Sequence, residues 1–255
     1  MAHFFVEPRD LDEEAATAAI TGPDAFHITR VLRLGPGARI TLADGTGRIF
    51  AAQVSGAGPD AVRVRLTGLA GREEPPLKAT LVQGITKGDK MDLVVQKAVE
   101  IGVFRVIPLL SGRTVARPQG DGKLLRWRRI ALEAAKQSRR GVVPWVSEPR
   151  TMEEVIELFS PEAAALLPWE EEDVVGLGEA LAGAPPGEVF ILVGPEGGFA
   201  AAEVALAVSR GARPVSLGPR ILRSETAGIV ALALTMFRWG DLGRAGREEC
   251  SWKRP

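Results

Sequence analysis

The rhythm of apolar and polar positions changes near residue 76, and that change organises the chain. Before it, Val62, Val64 and Leu66 alternate with Arg63 and Arg65, the period-two pattern of a sheet with one buried face. Ala38 to Asp44 and Arg48 to Val54 flank the turn Asp44-Gly45-Thr46-Gly47, where Asp-Gly supplies the positive φ that a hairpin needs. A short helix is predicted from about Pro23 to Leu34, stopped by Gly35-Pro36-Gly37. Residues 1–71 therefore read as a small, mostly stranded, barrel-like module. Gly71-Arg-Glu-Glu-Pro-Pro76 reads as a linker, because two prolines and three charges break any regular element.

After the linker, strand-like and helix-like stretches take turns. Leu77 to Val82 is strand-like, Asp89 to Ile101 helix-like and ended by Gly102, and Phe104 to Leu110 strand-like again. A basic helix is predicted over Gly122 to Arg139, and Thr151-Met-Glu-Glu154 opens another with a capping box. Strands follow at Ala163–Leu167, Val189–Val193 and Pro214–Leu217, with helices near Val174–Leu181, Ala201–Arg210 and Glu225–Trp239. Such alternation predicts a mostly parallel sheet covered on both faces over residues 72–242. Residues 243–255 lack periodicity and read as a flexible tail.

Composition narrows the class. The chain has 255 residues, 45% hydrophobic and 25% charged, as ordinary globular proteins do. The longest nearly uncharged apolar stretch, Thr226 to Phe237, is too short to cross a bilayer. Glu7, Arg9 and Asp10 argue against a signal peptide, so a cytoplasmic protein is expected. Cys250 is the one cysteine, and His3 and His27 are the only histidines. An internal disulfide, a Cys- or His-rich metal site, a Ser-His-Asp triad in the larger half and a cysteine nucleophile in the body of the chain are all excluded.

Net charge is zero, but the charges are segregated. Arg113 to Arg150 holds ten basic against three acidic residues, and Thr151 to Phe190 holds ten acidic and no basic ones. A basic face could steer a polyanion; solvated charge on neighbouring helices is the plainer alternative.

Two glycine turns carry the chemistry. Val189-Phe-Ile-Leu-Val193 runs into Gly194-Pro-Glu-Gly-Gly-Phe199 and then a helix. Glycines there let a ligand approach backbone N–H groups, although a plain tight turn is the alternative, and neither standard nucleotide fingerprint fits. The second turn is Leu217-Gly-Pro-Arg-Ile-Leu-Arg-Ser-Glu-Thr-Ala227. Ser224 is expected to cap the following helix and Glu225 to favour its positive end, which leaves Arg220 and Arg223 unexplained. Both turns are expected at the carboxyl ends of adjacent parallel strands, where ligands of such sheets sit.

These segments resemble the RsmE family of bacterial 16S ribosomal RNA uridine-N3 methyltransferases, of the SPOUT superfamily. Further matches are His27-Ile-Thr-Arg-Val-Leu-Arg33, Lys87-Gly-Asp-Lys-Met-Asp92 with Gln96-Lys-Ala-Val-Glu-Ile-Gly102, and Arg126-Trp127 leading to Glu133-Ala-Ala-Lys-Gln-Ser138, in order over residues 3 to about 242. His3 departs from the pattern, since the family usually has an arginine just before the Phe-Phe pair. The resemblance implies a PUA-like barrel before an α/β domain with a trefoil-knotted backbone, a homodimer, and S-adenosylmethionine gripped by three loops. The loops map to Leu167 and Pro168, to Gly194, Glu196, Gly197 and Gly198, and to Leu217, Gly218, Ile221, Leu222, Ser224, Thr226 and Ala227.

Residue chemistry agrees on one point. Methylation at a pyrimidine carbon needs a cysteine nucleophile, whereas methylation at nitrogen needs a positioned lone pair and loss of the N3 proton. Arg223 is the candidate to stabilise the uracil anion, and Glu196 or Glu225 the candidate proton acceptor. Candidate phosphate contacts are Arg9, Arg30 and Arg33 on the barrel and Lys87, Lys90, Arg113, Lys136 and Arg139 on the larger domain. The small ribosomal subunit is the implied partner, with neither metal nor membrane. The alternatives are ribose 2′-O methylation and a non-catalytic RNA-binding protein.

Overall fold

The computed structural model describes residues 1–58, 60–71, 74–114 and 121–244. Cys250, the tail after residue 244, and Arg72 and Glu73 of the predicted linker lie outside the described residues. The chain forms two compact units.

The smaller unit comprises Met1–Glu74 and Ala135–Val143. Its elements are β1 (Ala2–Phe5), β2 (Leu11–Asp12), β3 (Thr17–Thr21), α1 (Gly22–Phe26) running into a π-helical turn at His27–Val31, β4 (Arg39–Ala43), β5 (Ile49–Ala57) and β6 (Ala61–Gly71). They make one six-stranded sheet in the order β1-β4-β5-β6-β3-β2. Ile40, Leu42, Val62 and Val64 are completely buried, as the period-two pattern requires, and Ile28 of the π-helical turn is buried with them. The β4–β5 hairpin turns where expected. Asp44 accepts from the Thr46 N–H (2.8 Å), the Thr46 hydroxyl (2.8 Å) and Arg48 Nε (2.7 Å). Burial pushes the Asp44 carboxyl up, but these donors outweigh it and hold the group below the usual range.

Strand β1 pairs parallel with β4 and turns His3 inward. His3 Nε2 donates to the Arg140 carbonyl (3.0 Å), leaving Nδ1 to accept from the Thr41 hydroxyl (2.8 Å). Burial holds this imidazole below its ordinary value. Residues 135–143, expected in the larger domain, belong to the smaller unit instead. Lys136 Nζ donates to Asp24 Oδ1 (2.8 Å), and Glu74 Oε1 accepts from the N–H groups of Gly141 (3.0 Å) and Val142 (3.1 Å).

The larger unit comprises Pro75–Ala134 and Pro144–Arg244. In order come β7 (Lys78–Gly84), α2 (Lys90–Ile101), β8 (Arg105–Leu109), α3 (Gly122–Ser138, whose last turn lies in the smaller unit), β9 (Trp145–Val146) and α4 (Met152–Ile156). They are followed by β10 (Ala164–Pro168), α5 (Leu177–Ala180), β11 (Glu188–Val193), α6 (Ala201–Ser209), β12 (Ala212–Val215) and α7 (Ser224–Arg238). The six strands are all parallel, in the order β12-β10-β11-β7-β8-β9. Gly102 ends α2 at φ 106°, and the capping box Thr151/Glu154 forms as expected. Among the described residues, no helix is long and apolar enough to cross a membrane.

Three expectations are corrected. The helix predicted over 174–181 is the single turn Leu177–Ala180. Ser224 does not cap α7: Arg223 holds the N-cap position, and the Ser224 hydroxyl turns inward to the Gly194 carbonyl. The glycine turns do not follow adjacent strands, because β10 pairs with both β11 and β12 and lies between them. The loop after β10, already expected at Leu167 and Pro168, therefore lies between the two glycine turns.

Candidate functional site

A cavity of about 1020 Å³ opens beyond the carboxyl ends of β12, β10, β11 and β7. This is where parallel α/β sheets bind ligands, because successive loops diverge there and leave a crevice. Pro168, Trp169, Glu170, Glu172 and Asp173 form one wall. Gly194, Glu196 and Gly198 form the second, and Leu217, Gly218, Ile221, Leu222, Arg223, Ser224 and Ala227 the third. Three site candidates are not part of the lining. Leu167 is core, Gly197 faces Arg113, and Glu225 is buried in the first turn of α7. Thr226 is exposed and is not part of the lining.

Close backbone approach fixes the loops. A Cβ on Gly84, the last residue of β7, would stand 2.3 Å from Pro195 N and 2.6 Å from Gly194 C, so glycine alone lets the strand end touch the turn. Gly198 has φ +67°, and its Cβ position lies 2.3 Å from Glu170 Oε1. Beneath the turn, buried Gln83 donates from Nε2 to Ser224 Oγ (2.9 Å), and Ser224 donates onward to the Gly194 carbonyl. That relay ties β7, the glycine turn and α7 together. Arg113 Nη1 braces the other side by donating to the Gly197 carbonyl (2.8 Å). Glu203 of α6 accepts from Ala200 N (2.8 Å), the Ser111 hydroxyl (3.0 Å) and Gly112 N (3.0 Å).

Charge converges on the cavity. Glu196 Oε1 accepts from Lys87 N (2.9 Å) and Lys90 Nζ (3.3 Å). Partial burial raises its carboxyl, but the Lys87 N–H and Lys90 outweigh that and hold it below the usual range. Glu196 is thus an ionised clamp and a weak base, an argument against it as proton acceptor. Glu225 Oε2 is buried with no hydrogen-bond partner among the described residues, and Lys90 Nζ lies 3.6 Å away. The exposed side chain of Arg223 has no ion-pair partner among the described residues. The helix dipole opposes a cation at an N-cap by about 0.3–1 kcal/mol, so helix stability does not account for Arg223.

The phosphate-contact candidates separate. Arg9, Arg30, Arg33, Lys136 and Arg139 lie in the smaller unit, and Lys87, Lys90 and Arg113 in the larger. Arg30, Arg33, Lys87 and Arg139 are exposed, and Arg9 keeps most of its exposure beside Glu7. Lys136 is a correction: paired with Asp24 and only 15% exposed, it braces the fold. Lys90 is another, since it lines the cavity between two carboxylates. Sequence reasoning missed Gln83, Gly84 and the run Trp169-Glu-Glu-Glu-Asp173. A glycine closing an apolar strand was a signal for Gly84, whereas the acidic run looked like solvated charge.

Fold and site together define an RNA-modifying enzyme class. Residues 73–236 match the family described as RNA methyltransferase domain, and residues 20–67 the one described as RNA methyltransferase PUA domain. The chain is 35% identical to Ribosomal RNA small subunit methyltransferase E from Mycobacterium bovis, covering 98% of both chains. It is 36% identical to the protein of that name from Synechocystis, over 89% of this chain and 75% of the relative. The chain belongs to this methyltransferase E family. Solved structures agree: the Neisseria gonorrhoeae family member bound to S-adenosyl methionine superposes with a TM-score of 0.83 at 31% identity, covering 95% of this chain and 99% of that one. A putative methyltransferase from Legionella pneumophila, also with bound cofactor, gives 0.82 at 28% identity, over 94% and 99%.

Proposed function

We propose that the chain transfers a methyl group from S-adenosylmethionine to N3 of a uridine in the 16S ribosomal RNA of the small subunit. The observation that carries this reading is the cavity at four strand ends, walled by glycine backbone and lined by Arg223, which has no ion-pair partner among the described residues. In a chain whose single cysteine is Cys250, that site suits transfer to nitrogen better than to a ring carbon.

The residues fit the cofactor. Glu170 fills the space where a Gly198 side chain would stand, so the turn makes a backbone cradle that only glycine permits. Carboxylates of Glu170, Glu172, Asp173 and Glu196 suit a ligand with a sulfonium and an ammonium, and Leu217, Ile221 and Leu222 suit an adenine ring. When bound, S-adenosylmethionine supplies an electrophilic methyl group. Arg223 then stabilises negative charge on the uracil oxygens as N3 loses its proton, a donor for charge that develops during reaction. Gly197 and Leu167 support the cradle from behind. Arg30, Arg33 and Arg139 hold RNA phosphates. The reading extends to a trefoil-knotted backbone, a cytoplasmic location and a homodimer, with exposed Leu234 and Phe237 of α7 as candidate contacts. Mapping N3-methyluridine in ribosomal RNA from cells with and without this chain tests the proposal. The mark should vanish with the chain; its persistence would overturn the proposal.

A further inference from the structure

Charge alone groups Lys90 with the phosphate contacts, but its geometry does not. Lys90 is the first residue of α2, and it lines the cavity. Its Nζ lies 3.3 Å from Glu196 Oε1 and 3.6 Å from Glu225 Oε2, so one ammonium spans the starts of α2 and α7 and the turn after β11. Helix electrostatics do not favour the arrangement. The dipole of α2 opposes a cation at its first residue, and Glu225 Oε2 stays buried without a hydrogen bond among the described residues. At 35% exposure the side chain is far from engulfed by its two partners. Lys90 and Arg223 thus place two cations in the walls of one cavity, each at the start of a helix.

We propose that Lys90 is a second charge-stabilising residue of the reaction, with its ammonium facing the uracil ring as N3 becomes anionic. This rests on the reading that a uridine N3 is the acceptor. The step balances. The N3 proton leaves to solvent base, the N3 lone pair forms the new N–C bond, and the breaking S–C bond leaves its electron pair on sulfur. The uracil anion and the sulfonium both end neutral. Glu196 from the turn after β11 and Glu225 from α7 pair with Lys90, and Arg223 at the N-cap of α7, Glu170, Glu172 and Asp173 from the loop after β10, and Arg220 from the loop after β12 line the same cavity. Neighbouring Asp89 and Asp92 are engaged by Arg126 of α3. Removing Lys90 therefore leaves the carboxylates of Glu196 and Glu225 with less compensation and makes the uracil harder to ionise.

The test is single-turnover methylation of small-subunit RNA by wild type, Lys90→Gln and Lys90→Arg across a pH series, with cofactor affinity measured by calorimetry. Lys90→Gln should lose about tenfold or more near neutral pH, a modest share of what one preorganised donor supplies. The rising limb of its pH profile should move to higher pH while cofactor affinity changes little. Lys90→Arg, which keeps the charge, should hold the limb near its wild-type position and so also reports if the glutamine variant folds poorly. A limb superimposable on wild type, or a rate loss matched by lost cofactor affinity, would overturn the assignment. Nucleoside analysis of the wild-type product separates the two layers. Absence of N3-methyluridine would sink the underlying reading, whereas its presence with an unmoved limb sinks only the role of Lys90.

Discussion

Replacing Ser224 with alanine removes one oxygen from the relay beneath the glycine turn, and the cost follows from its partners. Ser224 is 8% exposed; it accepts from Gln83 Nε2 at 2.9 Å and donates to the Gly194 carbonyl. Alanine leaves both partners buried. An unsatisfied buried group costs about 1–3 kcal/mol. Gln83 Nε2 keeps a long contact to the Gly84 carbonyl (3.4 Å), so its loss belongs at the low end. Together the two losses give about 2–4 kcal/mol, without the large cavity that a bigger truncation leaves. Urea unfolding should show a lower midpoint at unchanged slope. Cofactor affinity should fall as well, because the Gly194 carbonyl is no longer anchored to α7. A double-mutant cycle with Gln83→Ala should give a coupling above about 0.5 kcal/mol. A destabilisation below about 0.5 kcal/mol, the range of ordinary surface substitutions, would refute the relay as a structural tie.

Three further outcomes are expected. Arg223→Ala should lose about 10²–10³ in kcat with little change in cofactor affinity, and Arg223→Lys should recover only part, since an ammonium lacks the planar fork; near-normal single-turnover rates would shift attention to Arg220. Gly84→Ala drives a Cβ into the backbone of Pro195, 2.3 Å away, and should abolish cofactor binding in calorimetry, while Gly197→Ala, whose nearest neighbour is Arg113 Cβ at 3.3 Å, should leave it nearly intact. His3 is held below its ordinary value of 6.5 by burial, so the unfolded chain binds the proton better. Its contribution to stability is complete above about pH 6.5 and declines as pH falls toward the folded value; urea midpoints against pH should show that decline, and His3→Gln should flatten it.

What the sequence made legible was local. The β4–β5 hairpin, the end of α2 at Gly102 and the Thr151 capping box each depend on a few neighbouring residues, and each forms where the residues predict. Strand order was not legible, since packing across the sheet decides that β10 separates β11 from β12. For the same reason the acidic run after Pro168 looked like solvated charge and not a cavity wall. Ser224 shows a local rule overridden, because a buried carbonyl from a distant turn offered its hydroxyl a better partner than the α7 backbone. Continuous helical periodicity through Lys136 hid the fact that the last turn of α3 joins the smaller unit, where Asp24 receives it.

The most direct test of the proposed activity uses the purified chain, isolated small ribosomal subunits or their RNA, and S-adenosylmethionine carrying an isotopically labelled methyl group. After transfer, the RNA is digested to nucleosides and the labelled product identified by chromatography and mass spectrometry. The expected result is a single labelled nucleoside, N3-methyluridine, whose formation is lost with Arg223→Ala. Label on a ribose 2′-oxygen, or no transfer by a folded chain that binds the cofactor, would contradict it.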